Sequence, residues 1–119
     1  MTNRASDFIV FNDGVCDVFR VGNAAEPGDR PEQKLRLKYR LRYRTHVVGL
    51  QRYYEAMQVQ VTITKAIDVP LLNDINPQDV VVISGKQYRI EQKQEKHDTQ
   101  PPSAVLSLSD IEEAYEIDV

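Results

Sequence analysis

One segment of the sequence, Lys34 to Arg44, alternates basic and apolar side chains without interruption over eleven residues. The odd positions are apolar: Leu35, Leu37, Tyr39, Leu41 and Tyr43. The even positions are basic: Lys34, Arg36, Lys38, Arg40, Arg42 and Arg44. Successive side chains of a β-strand point to opposite faces, whereas a helix would scatter them around its axis. The segment is therefore predicted to be a strand whose odd residues face a core and whose even residues face outward.

The length of this predicted strand is informative as well. At about 3.3 Å per residue, eleven residues span roughly 36 Å. That is more than a core strand of a small domain needs, so we expect part of the strand to extend beyond the core.

Patterns elsewhere in the chain predict further strands and one helix. Strands are expected at residues 15–21, 59–69, 80–83, 87–93 and 104–109, where β-branched, aromatic or alternating apolar residues lie between turn signals. The strands at 80–83 and 87–93 flank a Ser-Gly-Lys turn and form a predicted hairpin. Between residues 49 and 58, Leu50, Tyr53, Tyr54 and Met57 recur at helical spacing, which predicts a short α-helix.

The predicted elements fit a single domain, residues 1–119, because a chain of this length has room for one hydrophobic core. Several short strands with Gly and Pro turns favour a mainly β fold, a small β-barrel of about six strands with one short α-helix. Residues 1–12 are predicted to be a loosely ordered N-terminus, and residues 22–33 and 94–103 to be long polar loops. Residues 110–119 are predicted to form an acidic tail, either a short helix or a frayed end.

Charge is distributed unevenly along the chain. The formal net charge is only -3, yet the strand from Lys34 to Arg44 has no acidic residue and the last eleven residues have no basic one. The acidic residues of this C-terminal part are Asp110, Glu112, Glu113, Glu116 and Asp118. The basic residues of the strand form a candidate surface for a protein partner or DNA, and the tail forms a candidate docking segment. The alternative is that both are solvated faces without a partner.

The residues most often used in catalysis or metal binding are few and dispersed. Cys16 is the only cysteine, and the two histidines, His46 and His97, are far apart in the sequence. Cys16 lies in an apolar predicted strand, so we expect a buried, unreactive thiol. We expect both histidines to be exposed and without a metal. Because no acid–base or nucleophilic grouping can be assembled, we predict that the protein is not an enzyme and uses no cofactor or metal.

No segment of the sequence predicts export or membrane insertion. The first ten residues hold Arg4, Asp7 and only a short apolar patch, which is not a secretory signal. No apolar run approaches the roughly 20 residues that a membrane helix needs. We therefore expect no membrane contact, and use in the cytoplasm or in an assembly built there.

A small nucleic-acid-binding barrel is the alternative function that the residues suggest. The basic strand also carries Tyr39 and Tyr43, and single-strand binders combine cationic grooves with stacking aromatic rings. However, the alternation places these tyrosines on the face opposite the basic residues. Stacking and phosphate contact would then take place on different faces, which argues against this function.

The second half of the chain contains two motifs in a recognisable order. A short aromatic segment ending in alanine, Arg52-Tyr53-Tyr54-Glu55-Ala56, is followed by a predicted strand. An Asp-x-Val…Gly-Lys-x-Tyr-x-Ile hairpin then runs from Asp79 to Ile90. In these motifs and their spacing, roughly from Thr45 to Leu108, the chain resembles the phage head–tail joining family of small adaptor and head-closure proteins.

The resemblance implies a small β-barrel with one helix and a structural role in the virion of a tailed phage or prophage. Members of the family form a ring between the portal and the tail, as connectors that help to retain packaged DNA. The implied partners are therefore the portal and tail proteins, further copies of the chain and, at the exit channel, DNA. The implied location is the virion, assembled in the bacterial cytoplasm, and the family supplies no catalytic residues to transfer.

Overall fold

The computed structural model describes residues 8–23, 33–46 and 63–117, and these residues form a mainly β structure. The strands are β1 (Gly14–Asn23), β2 (Gln33–Thr45), β3 (Lys65–Pro70), β4 (Val80–Ile83), β5 (Lys86–Lys96), β6 (Ser103–Asp110) and β7 (Glu116–Ile117). The predicted fold class is confirmed in its β content. The predicted helix at 49–58 lies outside the described residues.

Six of the strands close into a ring. The order around it is β1, β4, β5, β6, β3 and β2, and the pairing of β1 with β2 completes the circle. The short strand β7 lies outside the ring and pairs with the start of β2 in the parallel direction. The prediction of about six strands around one core is therefore correct.

The main hydrophobic core fills the inside of this ring. It is built from buried side chains of all six strands, among them Val18, Ile67, Val81, Ile90 and Leu106. The connection between β3 and β4 contributes Ile75, which is also buried. The expected inward side chains of the last predicted strand, Ala104, Leu106 and Leu108, belong to this core. Full burial of large aliphatic side chains is the principal stabilising contribution in a domain of this size.

A β-bulge in β2 corrects the prediction that its odd residues share one face. Val18 pairs with Tyr39 and the next residue, Phe19, pairs with Leu37, so Lys38 is an extra residue on β2. Directly opposed residues of paired strands lie on the same face of the sheet. The faces therefore exchange at Lys38. The residues that point into the ring are Tyr39, Leu41 and Tyr43, whereas Leu35 and Leu37 point to its outer side.

A second, smaller hydrophobic cluster lies on this outer side. Phe19, Leu35 and Val80 are buried there, and Ile111 and Tyr115 of the C-terminal part pack against them. Leu37, two residues from Leu35, is 54% exposed. Alternation in the sequence predicts equal environments for the two leucines, and the cover by Ile111 and Tyr115 over the cluster of Leu35 makes them different.

The predicted extension of the basic strand corresponds to a long hairpin of β1 and β2. The pairing of β1 with β4 covers only Asp17 to Phe19, whereas β1 and β2 stay paired as far as Asn23 and Gln33. Gly22, Asn23 and Gln33 were assigned to a loop by their composition, but main-chain hydrogen bonding places them in strands. The remainder of that predicted loop, residues 24–32, lies outside the described residues.

The β4–β5 hairpin has the predicted position, with a tight turn at Ser84 and Gly85. Both residues have positive φ angles, 52° and 80°, as a two-residue turn of the primed type requires. Strand β5 continues to Lys96 instead of ending at residue 93, because residues 94–96 pair with the start of β6. The polar composition of residues 94–96 predicts a loop.

Both ends of the described chain are held by the ring. Ile9 is buried, and its backbone N–H donates to the carbonyl of Gln100 at 3.0 Å. At the other end, the expected helix or frayed tail is wrong in part: Asp110 ends β6 and Glu116–Ile117 is strand β7. The acidic segment therefore returns along its own β2 strand.

Candidate docking interface

The six basic side chains of β2 do not form one common surface. Within the described ranges, the carboxylates that lie at 2.7 to 3.8 Å from these cations come from several different elements of the same chain. The pairs are Lys34–Glu116, Lys38–Asp79, Arg40–Asp17 and Arg44–Asp68. Arg36 and Arg42 are exposed. The bulge and the neighbouring strands thus divide the candidate surface into separate environments.

Lys38 is turned away from the outward surface on which it was predicted. Its Nζ lies 2.7 Å from Asp79, and both side chains are mostly buried. The ammonium also donates to the carbonyl of Asp74, and Tyr39 donates to the Asp74 carboxylate. These contacts join the bulge to the β3–β4 connection. The hydrogen bond from Tyr39 holds the pKa of Asp74 below its usual value, and the pKa of Tyr39 is raised by the same bond.

Arg44 and His46 meet on a buried carboxylate, that of Asp68 in β3. The guanidinium of Arg44 donates to one Asp68 oxygen at 2.7 and 2.9 Å, and His46 Nδ1 lies 2.8 Å from the other. Asp68 is 1% exposed. His46 was predicted to be exposed, and this is wrong because the carboxylate holds it against β3. His97 is exposed, as predicted.

A small polar cavity of about 200 Å³ borders this cluster, and Lys96, Asp98 and Thr99 complete its lining beside Ile9. The cluster resembles the base and orienting group of a catalytic site, but Asp68 is already bound by both of its neighbours. A nucleophile within hydrogen-bonding distance of His46 would be needed for such chemistry. Within the described residues, His46 hydrogen-bonds to Asp68 through Nδ1 and to the carbonyl of Ala66 through its backbone N–H. The geometry therefore favours a structural role.

The exposed outer face of β1 and β2 provides a mixed apolar and cationic surface. Its cross-strand neighbours are Val15 with Arg42 and Asp17 with Arg40, and Leu37 follows along β2. Val15 is 50% exposed and the side chain of Arg40 is 70% exposed. We call Val15, Leu37, Arg40 and Arg42 the outer patch. Arginine beside exposed aliphatic side chains is a composition typical of protein–protein contact surfaces.

The acidic C-terminal residues are placed individually by the structure. Glu116 faces Lys34 at 3.8 Å, and Asp110 faces Lys86 at 3.3 Å. Glu112 and Glu113 are exposed and line a cleft of about 710 Å³. Asp118 lies outside the described residues. Part of the predicted docking tail is thus engaged within its own chain, and Glu112 and Glu113 face solvent.

Cys16 is buried in the ring, as predicted from its apolar strand. It is 1% exposed, and burial raises the pKa of its thiol to about 12. The thiolate is the reactive form of cysteine, so the side chain is both inaccessible and protonated at neutral pH.

We therefore expect Cys16 to resist alkylation in the folded protein. At about pH 8, iodoacetamide should modify less than about a tenth of the native thiol in the time that fully modifies the urea-unfolded chain. Mass spectrometry of the intact protein measures the extent directly. Rapid, stoichiometric modification of the native protein would show that β1 does not bury this residue.

Neither a metal cluster nor a membrane helix is found within the residues that the structure describes. No group of three or more His, Cys, Asp or Glu side chains there has the arrangement of a metal site. No helix in the same ranges has the length and apolar character to cross a membrane. In comparison with known proteins, no family model matches the chain, and no curated protein matches it.

Proposed function

We propose that the protein is a structural head–tail connector of a tailed phage or prophage, which docks between the portal and the tail by assembling into a ring. The resemblance of the helix and hairpin motifs to the head–tail joining family motivates this function. The observation in the molecule that supports it best is the outer patch. A surface of exposed aliphatic and arginine side chains on a rigid strand pair is suited to binding another protein.

The alternative, a small nucleic-acid-binding barrel, receives less support from the positions of the aromatic rings. Tyr43 is a buried member of the core, and Tyr39 packs against the same core. Both rings lie on the face opposite Arg40 and Arg42, so they are not available to stack on bases beside those cations. Contact of these arginines with the phosphates of packaged DNA remains compatible with the connector function.

The test is the association of the purified protein with the portal and tail proteins encoded beside it. Reversing one charge of the outer patch, Arg42→Glu, should weaken this association about tenfold, which corresponds to about 1.4 kcal/mol of binding free energy. The matched control is Lys86→Glu, an equal charge reversal at the exposed β4–β5 turn, which should leave the affinity within about twofold. Biolayer interferometry at two salt concentrations provides both affinities.

Two results would count against the connector. If the wild-type protein does not associate with portal or tail proteins, the proposed function is wrong. If instead it binds DNA with an affinity that falls steeply as salt rises, the nucleic-acid-binding alternative is favoured, because counterion release produces that dependence. Equal effects of Arg42→Glu and Lys86→Glu on partner binding would exclude the outer patch as the contact surface.

A further inference from the structure

The C-terminal residues 111–117 cover a hydrophobic groove on the outside of the ring. The groove is formed by Phe19, Leu35 and Val80, which are buried although they point away from the main core. Ile111 and Tyr115 pack on them. We call residues 111–117 the strap. Without a strap, a cluster of three large apolar side chains would face water, so the groove needs an occupant.

The strap is attached by few contacts, most of them at Tyr115. The side-chain amide of Gln87 accepts from the Tyr115 backbone N–H and donates to its carbonyl, both at 2.9 Å. Arg89 donates to the Tyr115 hydroxyl at 3.1 Å. These groups recognise the backbone and the hydroxyl of one tyrosine, and any copy of the same segment would satisfy them equally.

The rest of the strap is loosely connected to the ring. Glu112, Glu113 and Ala114 are exposed, and the strap lines the 710 Å³ cleft together with Gln33 and Arg89. As far as residue 117, where the described chain ends, strand β7 contributes two paired residues, Glu116 with Lys34 and Ile117 with Leu35. The Lys34–Glu116 pair is long, at 3.8 Å, and Glu116 is 77% exposed, so this pair adds little.

Charge identifies the kind of occupant that the groove accepts. Lys34 and Arg89 lie at its edge, and the strap carries Glu112, Glu113 and Glu116. The groove therefore fits an acidic segment with an aliphatic anchor and an aromatic anchor four residues apart. This chain supplies such a segment at its own C-terminus, so a second copy can supply it as well.

We infer that the strap is exchanged between copies: in the assembled form, the outer groove of one copy binds residues 111–117 of its neighbour. In the exchanged form, the chain changes direction at Asp110, where β6 ends, and leaves its own ring. The packing of Ile111 and Tyr115 and the hydrogen bonds of Tyr115 are then made to the neighbouring copy. Swapping an identical element in this way is a low-cost route to association. The inference rests on the proposed ring assembly and specifies one of its contacts.

A cysteine pair at the β2–β7 contact tests the exchange directly. Lys34 and Glu116 are directly opposed in the two strands, a position from which introduced thiols can bond. Differently tagged Lys34→Cys and Glu116→Cys proteins are mixed in equal amounts, incubated with the portal protein and oxidised mildly. Strap exchange predicts a disulfide-linked dimer carrying both tags on a non-reducing gel. Cys16 should not compete, because it is buried.

The double variant Lys34→Cys/Glu116→Cys provides the complementary test. Oxidised in dilute solution, it should form the bond within one chain, which fixes the strap in place. The locked protein should then lose self-association at least tenfold relative to its reduced form. As a control for random collision, Glu116→Cys is mixed with Lys86→Cys, whose cysteine lies at the exposed β4–β5 turn.

The outcomes separate this inference from the proposed function. A two-tag dimer well above the Lys86→Cys control, together with loss of association on locking, supports exchange. A protein that assembles without the interchain disulfide, or assembles equally when locked, overturns it, as does a chain that never self-associates. Exchange in the isolated protein without any binding to portal or tail proteins would support the strap while refuting the connector.

Discussion

Replacing Leu35 by alanine is expected to lower the free energy of unfolding by about 2–5 kcal/mol, whereas the same change at Leu37 should cost less than about 0.5 kcal/mol. Leu35 is fully buried in the outer cluster, and Leu37 is 54% exposed. The two leucines lie on one strand, two residues apart, so each substitution is the best control for the other. Removing a buried side chain leaves a cavity, and trimming an exposed one does not.

Urea denaturation followed by circular dichroism measures both values. The midpoint should fall for Leu35→Ala and remain near the wild-type value for Leu37→Ala, with similar slopes. Equal losses for both variants would mean that the leucines have the same environment, as strict alternation requires. The cover of Leu35 by the strap would then be wrong.

The second large effect is expected at Asp68, where alanine should lower the free energy of unfolding by about 2–3 kcal/mol. The substitution leaves Arg44 and His46, whose side chains are 38% and 18% exposed, without their common acceptor. The matched control is Asp17→Ala, which removes the carboxylate paired with Arg40 on the outer face. The side chain of Arg40 is 70% exposed, so Asp17→Ala should lower the free energy of unfolding by less than about 1 kcal/mol.

Thermal and urea unfolding of the two aspartate variants separate the effect of burying the carboxylate from the effect of losing an ion pair with arginine. Both variants lose one arginine–aspartate pair, and only Asp68→Ala loses it on a buried carboxylate. Similar stabilities would indicate that Asp68 is solvated in the protein, in conflict with the position of β3 between β2 and β6. Partial recovery with Asp68→Asn is expected, because the amide oxygen can still accept one of the hydrogen bonds.

Much of the β architecture follows from local sequence signals. The hairpin of β4 and β5 is determined by a four-residue apolar run, a Ser-Gly turn and an alternating return strand, all within a short stretch. The basic strand is evident from its alternation. Both depend on neighbouring residues, and such signals are independent of the rest of the fold.

The local sequence around Lys38 does not predict that the side chains of β2 change faces at this residue. A β-bulge is a mismatch between two paired strands, so it depends on the partner strand as well as on the bulged one. The partner of β2 here is β1, which lies fifteen or more residues before Lys38 in the chain. The extensions of β1, β2 and β5 into polar sequence have the same origin. Main-chain hydrogen bonds to a neighbouring strand stabilise these residues, whatever their side chains are.

The sequence predicted which charged residues belong to the candidate interface, but it did not predict which of them pair with each other. The acidic partners Asp17, Asp68 and Asp79 each lie more than twenty residues along the chain from the basic residue that they contact. Only the closed ring brings them together. Asp68 did carry a signal, since an aspartate between Ile67 and Val69 in an apolar strand needs a buried partner. The acidic tail was predicted as a candidate docking segment, and the structure places its Glu116 beside Lys34 of the same chain.

The connector function is tested most directly by imaging the protein bound to its portal. Portal rings incubated with this protein and with buffer alone should be compared by electron microscopy after removal of unbound chains. We expect an additional ring of density on the tail-facing side of the portal, present only when the protein is added. Portal rings that remain unchanged at saturating protein, with the added chain recovered as free monomer, would contradict it.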